Sequence, residues 1–332
     1  MGFEYLTNVP LAQARKEYLE WLVSGGFESK TETIPVFESC GRVTAKAVYA
    51  HICAPHYAAS AMDGVAVSAK ETFGATETTP VTLKPDQFLV LDTGDPIPED
   101  KDAVIMVEDI VKNGDGSITI HAAAAPWQHI RQIGEDVCAG EMILPSHMTV
   151  SPAAIGAMIA GGVLEIEVIR KPVVGIIPTG DEVLDFTTHP DPGKGQVVES
   201  NSQMLAALAR ELGCVVERAA PVPDNPEALH QALKDSLDAG RHLTIFCAGS
   251  SAGSKDFTRA TLEKEGEILT HGIAAMPGKP SLLANCRGRL VAGAPGYPVS
   301  ALVCFKELLE PLISWLSHRE PPAKTVVPVE LT

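Results

Sequence analysis

Lys171-Pro172-Val173-Val174-Gly175-Ile176-Ile177-Pro178-Thr179-Gly180-Asp181-Glu182 opens the stretch, running on to Asn201, around which the chain is organised. Val173 to Ile177 is a short apolar run rich in β-branched residues and closed by Pro178 and Gly180. It reads as a strand buried on both faces, as in a parallel sheet. Asp181 and Glu182 stand directly beyond it. In open α/β sheets ligands bind outside the carboxyl ends of the strands, so these acids are placed for chemistry as well as for solubility. Taken alone, the same four polar residues also fit a solvated turn.

Working outward from that strand, residues 172 to 316 alternate strand and helix in βαβ fashion. Ser200-Asn201 are N-cap types before a helix over Ser202 to Leu212 that Gly213 stops. Val215 to Glu217, Leu243 to Phe246 and Leu290 to Ala292 read as further strands, and Pro226 to Ala239 as a helix. The small-residue loop Ala248-Gly249-Ser250-Ser251-Ala252-Gly253-Ser254 would let backbone N–H groups approach an anion, although it has neither the Walker nor the dinucleotide spacing. Met276-Pro277-Gly278-Lys279-Pro280 and Gly293-Ala294-Pro295-Gly296-Tyr297-Pro298 read as rigid turns, and Val299 to Leu316 as one long closing helix.

Before position 171 the texture differs. Pro10 at a first helical turn, then Leu11, Ala14, Tyr18, Leu19 and Leu22 at helical spacing, predict an amphipathic helix whose stripe is core or oligomer contact. From Ala54 short β-rich runs take over: Val65 to Val67, Val81 to Leu83, Ala103 to Val107 and Ser117 to His121, the last two expected to form a hairpin across Asn113-Gly114-Asp115-Gly116. A second helix is expected over Pro152 to Ala160. The expected division is an inserted β domain over 54–130, a flanking α+β unit over 1–53 and 131–170, and an α/β domain over 171–318.

Composition narrows the function classes. A chain of 332 residues implies two or three domains. Its formal charge of -16 and its lack of any Lys/Arg run argue against a nucleic-acid partner. The seven cysteines show no Cys-x-x-Cys spacing and the ten histidines no His-Glu-x-x-His, which points away from zinc and from a disulfide framework. Without a signal-peptide core, and with a longest apolar stretch (Ala153 to Leu164) too short to span a bilayer, the expectation is a soluble cytoplasmic protein with no membrane partner. Asp181, Glu182, Asp224 and Asp256 would share one sheet edge if the strands are parallel; carboxylates there can hold Mg²⁺ against a pyrophosphate, and Lys279 would add a fixed cation.

Met62-Asp63-Gly64, Thr93-Gly94-Asp95-Pro96-Ile97-Pro98, Gly134-Glu135-Asp136, Thr179-Gly180-Asp181-Glu182, Ser200-Asn201-Ser202, Gly249-x-Ser251-x-Gly253-x-x-Asp256, Pro277-Gly278-Lys279-Pro280 and Pro295-Gly296-x-Pro298-Val299-Ser300-Ala301 occur in the order seen in molybdopterin molybdenumtransferases. The whole chain resembles that family, which includes MoeA and the gephyrin E domain. The resemblance implies a multi-domain α/β plus β architecture, with a three-layer α/β molybdopterin-binding domain, an inserted small β domain and a dimerising flank. It implies molybdate insertion into adenylylated molybdopterin with Mg²⁺-dependent pyrophosphate cleavage and AMP release. The implied active site lies between subunits of a homodimer. Asp63 and Thr93 would come from one subunit; Glu182, Asp224 and Asp256 would serve the metal and phosphate, and Lys279 the oxyanion. Thr179, Gly180, Asp181, Ser202, Gly249, Ser251, Gly253, Pro277, Gly278, Pro295, Gly296, Pro298 and Ser300 would line the substrate.

The resemblance further implies an upstream adenylyltransferase and downstream molybdoenzymes as partners, and a C-terminal β domain of which residues 319–332 would be only the start. Three positions depart from the family pattern: Met276 stands for a Lys, Ser250 lies in a loop usually reading Gly-Gly-Val-Ser, and Tyr297 stands for an Asn. An adenylyltransferase-like enzyme and a non-catalytic molybdopterin-binding scaffold are the alternative readings; the first would lack the region carrying Met62-Asp63-Gly64, and the second would release no AMP.

Overall fold

A computed structural model describes residues 8–24, 29–248 and 257–321. The chain divides into two compact units: Met1–Glu32, Gly41–Val43 and Val168–Thr332 form one, and Thr33–Cys40 with Thr44–Glu167 the other.

The larger unit is built on a six-stranded sheet in the spatial order Val215–Arg218, Val173–Pro178, Leu243–Cys247, Arg289–Ala294, Leu282–Cys286, Gly266–His271. The first four strands are mutually parallel; Leu282–Cys286 runs antiparallel to them, and Gly266–His271 pairs antiparallel with it in turn. Alternation along each strand sends successive side chains to opposite faces. Val174 and Ile176 join a cluster with Leu205, Ala206 and Ala209 of helix Asn201–Glu211, while Ile177 and Phe246 join another with Leu229, Leu233 and Leu237 of helix Pro226–Asp238. That two-sided burial is why Val173 to Ile177 reads as an unbroken apolar run. The edge strand Gly266–His271, helix Thr258–Glu265 and strand Leu282–Cys286 lie where the sequence offered no clear periodicity. The turn joining the last two strands of the chain places Arg287 and Gly288 at φ 50° and 73°, the left-handed pair that a two-residue hairpin requires.

The N-terminal helix, Leu11–Ser24, corrects the expected grouping of residues 1–53 with 131–170. Its stripe of Ala14, Tyr18 and Leu22 is buried in the larger unit's core beside Leu308 and Leu309. The closing helix differs from expectation too. It runs as α-helix over Pro298–Cys304, as π-helix over Phe305–Leu309, and as α-helix again over Glu310–Leu316. Pro311 has no N–H to give to the carbonyl of Glu307, so the ladder must widen there. The two helices meet at that break: Arg15 Nε donates to the Glu307 carbonyl at 2.6 Å and Tyr18 Oη donates to the Leu308 carbonyl at 3.0 Å. Tyr18 of the expected stripe and the neighbouring Arg15 thus satisfy an interrupted helix.

The smaller unit contains two three-stranded antiparallel sheets, Phe88–Leu91 with Gly64–Val67 and Ala103–Met106, and Val81–Leu83 with Ile118–Ile120 and Ile110–Lys112. The Asn113–Gly116 turn joins Ile110–Lys112 to Ile118–Ile120; Ala103–Met106 pairs with Gly64–Val67 instead of across that turn. Helix Pro152–Ala160 has the expected bounds, with Ser151 Oγ accepting from the N–H of Ala154.

Candidate active site at the carboxyl edge

Strands ending at Pro178, Cys247 and Ala294 form a common carboxyl edge. Thr179 continues the first of them: its N–H and Oγ1 both donate to the Cys247 carbonyl, at 3.0 and 3.1 Å. A cavity of about 440 Å³ opens there. Thr179, Glu182, Asn201, Gly296 and Pro298 line it. Gly180 sits at φ +135°, where a Cβ would lie 3.0 Å from both Glu182 carboxylate oxygens, so only glycine lets the chain turn and present that carboxylate. Among the described residues Glu182's carboxylate has neither a hydrogen-bond nor an ion-pair partner.

Asn201 starts the helix Asn201–Glu211 on the cavity wall. Its Nδ2 donates to the Gly296 carbonyl at 2.8 Å, tying two loops together, while its Oδ1 is buried with no partner among the described residues. A buried unpaired amide oxygen is costly, and at a cavity wall it is a ready acceptor for a ligand donor. Gly296 packs closely: a Cβ there would lie 3.2 Å from that of Ala248. Cys247 also borders the cavity, but burial pushes its thiol far above the ordinary range, so it stays a neutral thiol and not a nucleophile.

Beneath the wall lies a charged network. Ser202 is fully buried; its N–H and Oγ donate to the Glu199 carboxylate at 2.7 and 2.5 Å. Arg218 Nε donates to Ser202 Oγ at 2.7 Å, and its Nη2 reaches Glu199 and Asp185 at 3.3 Å each. The guanidinium lies 4.7 Å from the Phe186 ring centroid. The Thr187 backbone N–H, and then Thr187 Oγ1 and Arg218, hold the Asp185 carboxyl below the usual range. Sequence reading set Ser202 among substrate contacts; the structure spends its hydroxyl inside this network, with Glu199 and Arg218 as the residues it missed.

The remaining expected site residues scatter. Asp181 accepts the Asp224 backbone N–H at 3.1 Å, so these two acids adjoin, but neither lines the cavity with Glu182. No three His, Cys, Asp or Glu side chains among the described residues converge as a metal site. Asp256, Gly249, Ser251 and Gly253 lie outside the described residues. Pro277, Gly278 and Lys279 form a turn after a cis Met276–Pro277 bond, closed by the Ser281 hydroxyl donating to the Gly278 carbonyl at 2.7 Å. Lys279 does not line the cavity. Pro295 is buried, and Ser300 sits in the first turn of helix Pro298–Cys304, its carbonyl 3.7 Å from where a Gly278 Cβ would stand. In the smaller unit Asp63 and Thr93 do meet: the Thr93 N–H and Oγ1 donate to Asp63 Oδ1 at 2.7 and 2.8 Å, which holds that carboxyl below its usual range. Gly64 beside them has a purely steric role, because a Cβ would stand 2.0 Å from the Ile105 carbonyl oxygen.

The family model "MoeA N-terminal region (domain I and II)" matches residues 9–162, and "Probable molybdopterin binding domain" matches 175–315. The molybdopterin molybdenumtransferase of Haemophilus influenzae is 34% identical over 326 residues, spanning 93% of this chain and 78% of that protein. The chain belongs to the molybdopterin molybdenumtransferase (MoeA) family. It is accordingly a transferase of molybdenum cofactor biosynthesis. Molybdopterin molybdenumtransferase 2 of Mycobacterium tuberculosis is 34% identical over 304 residues, spanning 84% of this chain and 73% of that one. Among solved structures, the molybdopterin biosynthesis MoeA protein of Pyrococcus horikosii matches with a TM-score of 0.78 at 28% identity, over 94% of this chain and 81% of that chain. The match over 9–162 sets this chain apart from a lone adenylyltransferase. No helix among the described residues is long and apolar enough to cross a membrane.

Proposed function

We propose that the carboxyl-edge cavity takes adenylylated molybdopterin, and that the enzyme cleaves its pyrophosphate in a molybdate-dependent step that releases AMP. The observation that carries this reading is one cavity wall holding the unpaired Glu182 carboxylate, the first residue of helix Asn201–Glu211 and the unpartnered Asn201 Oδ1. A helix N-terminus favours phosphate through its free N–H groups and its dipole. Asn201 Oδ1 accepts a donor from the pterin or ribose, and Gly296 lets the backbone approach.

Glu182 alone repels a pyrophosphate, which is the physical argument for a divalent ion. Mg²⁺ characteristically takes one or two carboxylates and completes its shell with substrate phosphates and waters, so the single unpaired Glu182 fits it better than a three-carboxylate cage. Glu182 would hold it directly, and Asp224 and Asp256, the other carboxylates proposed for it, would reach it through water. When bound it supplies charge neutralisation across the scissile phosphates. Lys279 is the cation assigned to molybdate. The finer architecture proposed with this activity is a three-layer molybdopterin-binding domain, an inserted β domain over 54–130, and a homodimer in which Asp63 of the partner subunit and Thr93 of the partner subunit complete each site.

AMP release from adenylylated molybdopterin tests the reading. Release should require both molybdate and Mg²⁺. Mixing Asp63→Ala with Glu182→Ala protein should restore part of the activity through heterodimers carrying one intact site. Molybdate-independent release would overturn the reaction, and no recovery after confirmed subunit exchange would overturn the shared site.

A further inference from the structure

We propose that the amino edge of the same sheet is a second anion site, a cavity of about 530 Å³ that takes a diphosphate group, free or carried by a nucleotide. It lies at the opposite ends of the strands from the cavity containing Glu182. Val173 and Val215 begin two neighbouring parallel strands and face each other in register. Leu243 pairs with Leu290, so His242 and Arg289, one residue earlier on adjacent strands, stand side by side at the rim. Lys171 precedes the first strand, and Arg170 and Lys30 complete the wall.

The charge of this cavity is out of keeping with the molecule. In a chain of 26 Lys and Arg against 42 Asp and Glu, it gathers four cations, Lys30, Arg170, Lys171 and Arg289, against one carboxylate, Glu32. Glu32 is already engaged by Arg42 at 2.5 Å and by Arg170 at 3.8 Å. Lys30, Lys171 and Arg289 have no carboxylate partner among the described residues. Like charges gathered without counter-ions raise the free energy of the fold, and a polyanion relieves this. Three uncompensated cations suit the two to three negative charges of a diphosphate, and the volume falls within the range of small-molecule sites, with room for an attached nucleoside. His242 adds a polar group of defined tautomer: the Val173 N–H donates to Nδ1 at 3.0 Å, which puts the ring proton on Nε2. Burial, and then Arg289, Lys30 and Arg170, depress its basicity, so the imidazole registers the field these cations make.

A simpler origin exists for the same charges. Helices Asn201–Glu211 and Pro226–Asp238 both end towards this edge, and cations there offset the negative ends of their dipoles. The two origins separate experimentally. The full chain, without Mg²⁺, is titrated with inorganic pyrophosphate and in a parallel arm with ADP, by calorimetry and by histidine ring NMR, with the His242 signal assigned through its loss in His242→Gln. Saturable binding with a shift of the His242 resonances is expected. Lys171→Gln and Arg289→Gln should each weaken it on the order of tenfold, the loss of one hydrogen bond to a charged group, while Glu182→Ala leaves it unchanged. Tighter binding of ADP identifies a nucleotide as the source of the diphosphate, and equal binding identifies the free anion. Absence of saturable binding, loss of binding in Glu182→Ala, or a lowered melting temperature in both Gln variants with unaltered pyrophosphate affinity would each overturn the proposal. Should Arg289→Gln fail to fold, the exposed Lys171→Gln decides alone.

Discussion

The two edges of one sheet treat charge in opposite ways. At the carboxyl edge most of the charge is matched: Glu199 is buried against Ser202 and Arg218, Asp185 is fixed by Thr187 and Arg218, and Glu182 is left to face the cavity. At the amino edge the cations are gathered but not matched. A parallel sheet makes this segregation easy, because every strand-to-helix loop falls on one edge and every return on the other. One edge can therefore be specialised without disturbing the other, and substitutions at the two should differ in kind.

The largest expected difference concerns stability. Arg218→Met removes the only cation paired with Glu199 among the described residues, whose side chain is 3% exposed, and should cost about 3–5 kcal/mol, because a buried carboxylate is left without its partner. Lys171→Gln or Arg289→Gln breaks no such pair and should change stability by less than about 0.5 kcal/mol. Urea unfolding measures both; equal losses at the two edges would break the comparison.

Next comes turnover. Glu182→Ala should lower AMP release by about a hundredfold, as expected when a group preorganised toward a reacting phosphate is lost, with Arg289→Gln serving as a control of near wild-type rate. A normal rate in Glu182→Ala would mean that the carboxyl-edge cavity is not where phosphate chemistry happens.

Much of the carboxyl edge was legible because its residues are contiguous. An apolar run closed by Pro178, then Thr179 to Glu182, gives strand, turn and acids within ten residues, and the structure brings Thr179 and Glu182 to one cavity with Gly296 and Pro298. The amino edge was illegible because Lys30, the adjacent Arg170 and Lys171, His242 and Arg289 come from four separate places in the sequence and are brought together only by the fold. The surroundings of Ser202 were illegible for a related reason. The resemblance implies a substrate contact for it, and only the fold shows that Glu199, three residues earlier, engages its N–H and hydroxyl. The helix Leu11–Ser24 announced a buried face but not which core would receive it, since periodicity fixes a face and never its partner. Pro311 was visible; that it opens a π-helix capped by Arg15 and Tyr18 was not.

A smaller effect tests how tightly the acidic edge is built. Gly180→Ala forces a Cβ into a positive-φ site, 2.8 Å from Val183 Cγ2 and 3.0 Å from the Glu182 carboxylate. It should cost about 1–3 kcal/mol in stability and displace that carboxylate, so AMP release should fall together with the melting temperature. Unchanged stability would show that this loop relaxes freely and that the edge is less rigid than its contacts imply.

The smallest effect belongs to His242 and sharpens the comparison at the amino edge. Its basicity is lowered from 6.5 by burial first and then by Arg289, Lys30 and Arg170. A folded-state value below the unfolded one means that the folded protein resists protonation. The stability this group contributes is therefore present in full above pH 6.5 and is lost as pH falls through the depressed folded value. In Arg289→Gln burial persists, so the value should rise part of the way back and not completely, and the loss of stability on acidification below pH 6.5 should be shallower than in the wild type. Histidine ring NMR from pH 4 to 8, read beside urea midpoints over the same range, follows both quantities. A His242 titration identical in wild type and Arg289→Gln would mean that the guanidinium is screened by solvent, and that the amino edge, though rich in cations, exerts no field on a group seated within it.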